Sequence, residues 1–271
     1  MDTKKPDPSE PGTPKRLVED ESRSPSELQP GTTTLHLNPA AEFHPNVLLP
    51  GDPTRAMTIA TTQLVEPRMF NHRRGLWGYS GRTAKGTGIL VQATGMGGPS
   101  AAIVCEELAD LGAEIFLRVG TCGSLDPSVG LGDLMVVSQA IADDGTGHAL
   151  GAGERVAADE RLVELLTEHG EASGHATRVG PNATVDLFYD PEAEARHARL
   201  REAGALTIEM EASAVIGVGA RRGVPSACLL GVTDALFDGA PRDRLTHDQI
   251  TELGETLGRV AIGAVEGLLA T

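Results

Sequence analysis

Arg118 stands where a charge is costly. It interrupts the apolar run Ile115-Phe116-Leu117-Arg118-Val119, and a cation in such a strand is unfavourable unless it meets an anion. The run ends in Gly120-Thr121-Cys122-Gly123, which adds a hydroxyl at the strand end. Upstream, Gly51-Asp52-Pro53-Thr54-Arg55 follows another short apolar run. A glycine at a strand end just before a helix leaves N–H groups pointing outward, an arrangement that holds phosphate. Arg55 adds a planar, permanently charged fork. Alone, that segment reads as a turn with a surface arginine. Together with Arg118 and Thr121 it reads as an anion site built from strand ends. Further on, Thr207-Ile208-Glu209-Met210-Glu211 sets two carboxylates at a helix start, where they complement the helix dipole. An acid at a strand end beside a phosphate site can also accept two hydrogen bonds from a sugar diol. Asp234 closes another apolar run, as a helix cap or a solvated turn residue. Phe188, one of five phenylalanines, reads on its own as a core aromatic.

These residues need a frame of strands and helices. Ile89 to Ala93 reads as a strand, Gly95, Gly97 and Gly98 as a turn, and the next residues to Leu111 as a helix that Pro99 suits at its start. Ile115 to Val119 is then a second strand, completing a βαβ unit with its reactive loops at the strands' carboxyl ends. Gly95-x-Gly97-Gly98 falls short of a dinucleotide fingerprint. Ser100 stands in the third glycine's place, and the following strand ends in Gly120 rather than an acid. Around this unit the pattern predicts an extended piece at Thr34 to Leu37 and strands at Val47 to Leu49, Asp133 to Gln139, His175 to Thr184, Leu206 to Ile208 and Ser226 to Thr233. Helices are expected at Thr54 to Thr61, Glu160 to His169 (stopped by Gly170), Pro191 to Glu202 and Glu211 to Arg222. A hairpin is expected around Arg73 to Tyr79, and a glycine-rich loop at Gly145 to Gly153. Thr246-His247-Asp248-Gln249 is a capping-box pattern, and Ile250, Leu253, Leu257, Val260, Ala264 and Leu268 follow at helical spacing. Strands alternating with helices imply one α/β domain, a three-layer sandwich with a central mixed sheet.

Gly-Met-Gly-Gly-Pro-Ser at Gly95 to Ser100, Phe-Leu-Arg-Val-Gly-Thr-Cys-Gly at Phe116 to Gly123, and Leu-Leu-Pro-Gly-Asp-Pro-Thr-Arg at Leu48 to Arg55 resemble the nucleoside phosphorylase superfamily, most closely its bacterial-type purine members. The resemblance runs from about His36 to the C-terminal helix. It implies phosphorolysis of purine ribo- or deoxyribonucleosides to free base and pentose 1-phosphate. Orthophosphate would be a co-substrate, with no metal or organic cofactor. Carried over residue by residue, it assigns phosphate to Gly51, Arg55, Arg118 and Thr121, with Arg74 supplied by a neighbouring subunit. The nucleoside falls to Cys122, Gly123, Phe188, Ile208, Glu209, Met210 and Glu211, with His36 reaching a neighbour's 5′-hydroxyl. Glu211 would hold the ribose diol and Phe188 would stack on the base. Asp234 would protonate purine N7, helped by Arg242 or Arg244. A homo-hexamer, a trimer of dimers, is the implied assembly. Uridine phosphorylases place a Gln and an Arg after the aromatic segment, where this chain has Glu192-Ala193-Glu194. Uridine phosphorylase and methylthioadenosine phosphorylase are the alternatives within the same fold.

Composition narrows the rest. A net charge of −15 disfavours nucleic acid and anionic membranes as partners. No apolar run approaches the ~20 residues of a membrane span, and the polar N-terminus is no signal peptide, so a cytoplasmic protein is expected. Cys105, Cys122 and Cys228 stand singly, without metal-ligand spacing, and read as reduced thiols. Residues 1–32 hold six of the 17 prolines and few apolar side chains. Such a segment cannot offset its ordering entropy, so a disordered tail is expected before a single domain at 33–271.

Overall fold

The computed structural model describes residues 34–151, 153–237 and 244–270. The expected tail and Arg242 lie outside them. The first half runs β1 (Asn46–Leu49), α1 (Pro53–Gln63), β2 (Val65–Asn71), β3 (Gly78–Arg82), β4 (Gly88–Gln92), α2 (Gly98–Asp110) and β5 (Ile115–Ser124). The second runs β6 (Leu134–Asp143), α3 (Gly145–Ala149), β7 (Arg155–Ala157), α4 (Glu160–Ala172), β8 (Thr177–Val185), α5 (Ala193–Glu202), β9 (Thr207–Glu209), α6 (Ala212–Arg222), β10 (Ser226–Ala235) and α7 (His247–Leu269).

The strands form one mixed sheet with β5 at its centre. β1 and β10 flank β5 in parallel, and β4 lies parallel to β1 on its far side. β3 and β2 continue outward as the expected antiparallel hairpin. On the other side β5 also pairs with β9, β9 with β8, β8 with β6, and β6 with β10. Because β10 pairs with β5 as well, these five strands close on themselves. Local periodicity carries no sign of that closure, which is set by pairings far apart in the chain.

Side chains along the parallel strands alternate between two cores, as the pleat requires. Leu48, Ile89, Val91, Ile115 and Leu117 pack with Ile59 of α1, Leu166 of α4 and Leu257 of α7. Val47, Leu49, Leu90 and Phe116 pack with Val104 and Leu108 of α2 and Val215 and Val218 of α6. Two helical layers thus enclose the sheet. Fully burying each such aliphatic side chain contributes about 1.5–3 kcal/mol. Arg118 lies two residues beyond Phe116, so the same alternation turns it toward α2 and α6.

The capping box of α7 is present: the Thr246 side chain accepts from the Gln249 N–H, and the Gln249 side chain accepts from the Thr246 N–H at 2.9 Å. Two local expectations are corrected. The glycine-rich stretch after β6 contains a helical turn, α3, because the Asp144 carboxylate caps it by accepting from the Gly147 N–H at 2.7 Å. Gly170 does not stop α4. A Cβ there would sit 2.8 Å from the Thr177 side chain, so this glycine serves close packing, and the helix runs on to Ala172. β7 had no forecast at all. Among the described residues no helix is long and apolar enough to cross a membrane.

Candidate active site

The carboxyl ends of β1, β4, β5 and β10 carry the residues singled out by their chemistry. The loops after β1 and β4 are pinned together by Thr94 N–H to Pro50 O at 2.9 Å and Gly95 N–H to Gly51 O at 3.1 Å. Beneath them lies Arg118, with only 3 % of its side chain exposed. Its Nε donates to Glu209 Oε2 at 2.8 Å, and its Nη2 meets Glu211 Oε2 at 2.5 Å. Its Nη1 is buried and has no hydrogen-bond partner among the described residues. That atom lies 3.9 Å from the position a Cβ on Gly51 would occupy. A buried donor without a partner calls for an explanation, and here it faces the turn that reads as an anion site.

Space for this arrangement comes from Gly120. A Cβ there would stand 2.7 Å from Arg118 Nη2, so only glycine lets the guanidinium lie flat along its own strand. Burial works against the Arg118 charge, but Glu211 and Glu209 more than offset it and hold the group above its ordinary pKa. Burial pushes the Glu211 carboxyl up against the pull of Arg118, and neighbouring Glu209 adds to the rise. Arg55 is partly buried where α1 meets Gly254 of α7. Burial lowers its pKa; Asp52 opposes that, and the charge of Arg118 adds to it. The chain therefore gathers Gly51, Arg55, Arg118, Glu209 and Glu211 in one place. Thr121 is partly buried on β5 opposite Gly231.

The two acids differ. Glu209 Oε1 accepts from Asn182 Nδ2 at 3.0 Å and Thr184 Oγ1 at 2.8 Å. The backbone N–H groups of Glu211 and Ala212 add bonds of 2.8 and 2.9 Å to Oε2, so Glu209 caps α6. Among the described residues Glu211 accepts only from Gly97 N–H, at 2.5 Å, besides its contact with Arg118. Asn182 and Thr184 were not singled out from the sequence, and Gly97 and Gly120 stood there only as turn and strand-end glycines. Two polar residues at alternate positions of the strand Pro181-Asn182-Ala183-Thr184-Val185 were the available signal.

A second cluster lies across β10, β5 and β9, where Asp234, Gly123 and Ile208 share one register row. Asp234 Oδ1 meets Arg244 Nε at 3.1 Å, and Oδ2 accepts from Thr233 Oγ1 at 2.7 Å. An isolated antiparallel bridge between Asp234 and Arg244 holds the backbones together. Leu236 folds over Gly123, where a Cβ would meet it at 2.5 Å. Cys122 is buried, which pushes its thiol up, and nearby Glu209 adds to that; such a thiol is a poor nucleophile. Met210 is partly buried between the two acids. Phe188 is 65 % exposed, with Tyr189 edge-on at 5.0 Å. Its segment is tied back where Asp186 accepts from Gly145 N–H, and where Arg196 and Arg199 of α5 pair with Asp143.

His36 and Arg74 stand apart. His36 Nδ1 bonds Glu107 Oε1 at 2.7 Å, and the same carboxylate accepts from the N–H groups of Leu35, His36 and Leu37. Glu107 lies about 14 Å along α2 from the end that touches Glu211, at 1.5 Å per residue. Arg74 is exposed at φ 58° on the 3-10 turn Arg73–Gly75, with no ion pair among the described residues. Buried Asn71 anchors both segments: its Oδ1 accepts from Asn38 N–H and its Nδ2 donates to Leu76 O.

The described residues contain no group of three or more His, Cys, Asp or Glu side chains placed to hold a metal ion. A family model described as the phosphorylase superfamily matches residues 45–270. The DeoD-type purine nucleoside phosphorylase of Alkaliphilus metalliredigens (strain QYMF) is 37 % identical over 201 residues, spanning 73 % of this chain and 85 % of that protein. Its counterpart in Geobacillus kaustophilus (strain HTA426) is 35 % identical over 223 residues, or 78 % and 92 % of the two chains. That of Proteus mirabilis (strain HI4320) is 36 % identical over 210 residues, or 76 % and 87 %. With strand-end loops, a buried arginine and a match along nearly all the described chain, this protein belongs to the phosphorylase superfamily.

Proposed function

We propose that the protein cleaves purine ribo- and deoxyribonucleosides by phosphorolysis, releasing the base and a pentose 1-phosphate. The observation that carries this reading is the unpaired Nη1 of Arg118, buried beside the Gly51 turn. The DeoD-type relatives, named as purine nucleoside phosphorylases, support the choice of base. Phosphate is held by the Gly51 turn, Arg55, Arg118 and Thr121. It lies below C1′ of a sugar whose 2′- and 3′-hydroxyls donate to Glu211. Breaking the C1′–N9 bond leaves positive charge on the sugar and negative charge on the base. The phosphate dianion offsets the first and then forms the C1′–O bond. Asp234, in its protonated form, gives its proton to N7 and relieves the second, an effect typically worth about 10²–10⁴-fold, and the proton that HPO4²⁻ loses on forming the ester restores it. Arg244 holds Asp234 in place. Cys122, Gly123, Ile208, Met210 and Phe188 line the nucleoside, and orthophosphate is the only co-substrate required.

The working assembly in this reading is a homo-hexamer of three dimers with shared sites. Exposed Arg74, with no ion pair among the described residues, and His36, held by Glu107 far along α2 from the Arg118 cluster, support it, since neither lies within its own subunit's cluster. Residues 33–271 form the catalytic unit, and three free buried cysteines accord with work in the cytoplasm. The test is base release with and without phosphate across inosine, guanosine, adenosine, methylthioadenosine and uridine. Phosphate-dependent release from the purine nucleosides is expected. Equal rates without phosphate would mean hydrolysis, and preference for uridine would overturn the purine assignment.

A further inference from the structure

We propose that Glu209 is a positioning residue that aims the Arg118 guanidinium at phosphate and takes no part in holding the sugar. The inference rests on the phosphorolysis reading and deepens it. An ionised carboxylate offers about four acceptor sites. Glu209 spends its own on Arg118 Nε, Asn182 Nδ2, Thr184 Oγ1 and the N–H groups of Glu211 and Ala212. Its side chain is 2 % exposed. No lone pair remains for a diol. Among the described residues Glu211 accepts from only two donors, Gly97 N–H and Arg118 Nη2, and so retains capacity for two hydroxyls.

The geometry also states what Glu209 does. Arg118 has three nitrogens in one plane. Glu209 holds Nε and Glu211 holds Nη2, and with Cδ tethered to the backbone these three points fix the rigid plane and so the place of the third nitrogen. That third, Nη1, is the one left beside Gly51. Glu209 is itself immobilised from β8 by Asn182 and Thr184, whose positions are locked in turn. Asn182 Oδ1 accepts from Thr207 Oγ1 at 2.9 Å, and Thr184 Oγ1 accepts from Ser213 N–H at 3.0 Å. The aim of Arg118 is therefore inherited from a strand that touches no substrate in the proposed reaction.

Kinetics of the full-length protein on inosine and 2′-deoxyinosine separate this role from sugar binding. Glu209→Gln keeps the side chain's shape but weakens its hold on Nε. It should raise the phosphate KM about ten- to a hundredfold, the scale of a mispositioned catalytic group. The rise should be equal for the two nucleosides, with the nucleoside KM much less affected. Glu211→Gln should instead penalise inosine more than 2′-deoxyinosine. Thr184→Val should shift the phosphate KM in the same direction as Glu209→Gln but less, and Thr184→Ser should restore it. The Thr184 pair carries the test if Glu209→Gln fails to fold. A loss in Glu209→Gln confined to the ribonucleoside, or an unchanged phosphate KM, would overturn the proposal. Titration calorimetry with inorganic phosphate keeps the two readings separable. Wild-type protein without phosphate-dependent turnover would sink the phosphorolysis reading. Equal phosphate affinity in wild type and Glu209→Gln would sink this one.

Discussion

The Arg118 cluster and the Asp234 cluster are centred on neighbouring strands, Arg118 on β5 and Asp234 on β10, yet they are built on opposite terms. Arg118, Glu209 and Glu211 have 3 %, 2 % and 8 % of their side chains exposed and are held from β8, α2 and α6 at once. Asp234 is 28 % exposed and Arg244 60 %. One backbone bridge and one hydroxyl complete their support. In a buried ion cluster each unmatched charge costs several kcal/mol, so Glu209, Glu211 and two of the three Arg118 nitrogens are locked in pairs before any substrate arrives. An exposed pair is worth about 0–1 kcal/mol and can rearrange cheaply. In the proposed reaction the first cluster meets an invariant anion. The second meets a base that must enter, accept a proton and leave.

Four substitutions test that contrast. Arg118→Ala should have the largest effect. It strands two buried carboxylates and should cost about 3–5 kcal/mol of stability, read by denaturant unfolding, together with a large rise in the phosphate KM. Lost stability with unchanged phosphate kinetics would reduce Arg118 to a structural ion-pair partner. Asp234→Ala should leave the unfolding curve nearly unmoved while inosine phosphorolysis falls by about two to four decades. Most activity should survive on 7-methylguanosine, whose N7 is already alkylated and cationic. Equal losses on both nucleosides would make Asp234 a packing residue.

Arg74 tests whether an exposed residue can belong to the buried cluster. Mixing Arg74→Ala subunits with Arg118→Ala subunits should restore part of the activity that each lacks alone, because a mixed dimer rebuilds one intact site. Failure to recover any turnover, with mixed oligomers verified, would remove Arg74 from the shared site. Arg244→Ala should have the smallest effect. An exposed pair of about 1 kcal/mol corresponds to roughly a fivefold loss of kcat on inosine, with the melting temperature unchanged. A loss as large as that of Asp234→Ala would show that the edge cluster is as interdependent as the buried one.

Much of the frame was legible in advance. Val47 to Leu49, Ile115 to Val119 and the helix after Thr246 lie where alternation and the capping box place them, because those signals depend on residues one to four apart. The candidate site was legible as residue types. Arg118 stood out because a charge in an apolar strand demands a partner, and Asp234 because it closes a strand. What the partner was could not be read. Glu209 lies 91 residues from Arg118, and Glu209 and Glu211 look alike in sequence, two residues apart at a helix start.

The sequence by itself determined the order of most strands and helices, the cap of α7, and the strand ends where chemistry gathers. These follow from short-range sterics, periodicity and the cost of an unpaired charge. Only the tertiary structure decided that β10 closes back on β5, and that Asn182 and Thr184 occupy one acid while the other keeps room for a ligand. It alone leaves one nitrogen of Arg118 facing Gly51 and ties His36 to Glu107. Each of these is a choice among partners distant in the chain. Such choices are made when two helical layers close over the sheet, and nearly all buried donors and acceptors find their match in the space that remains.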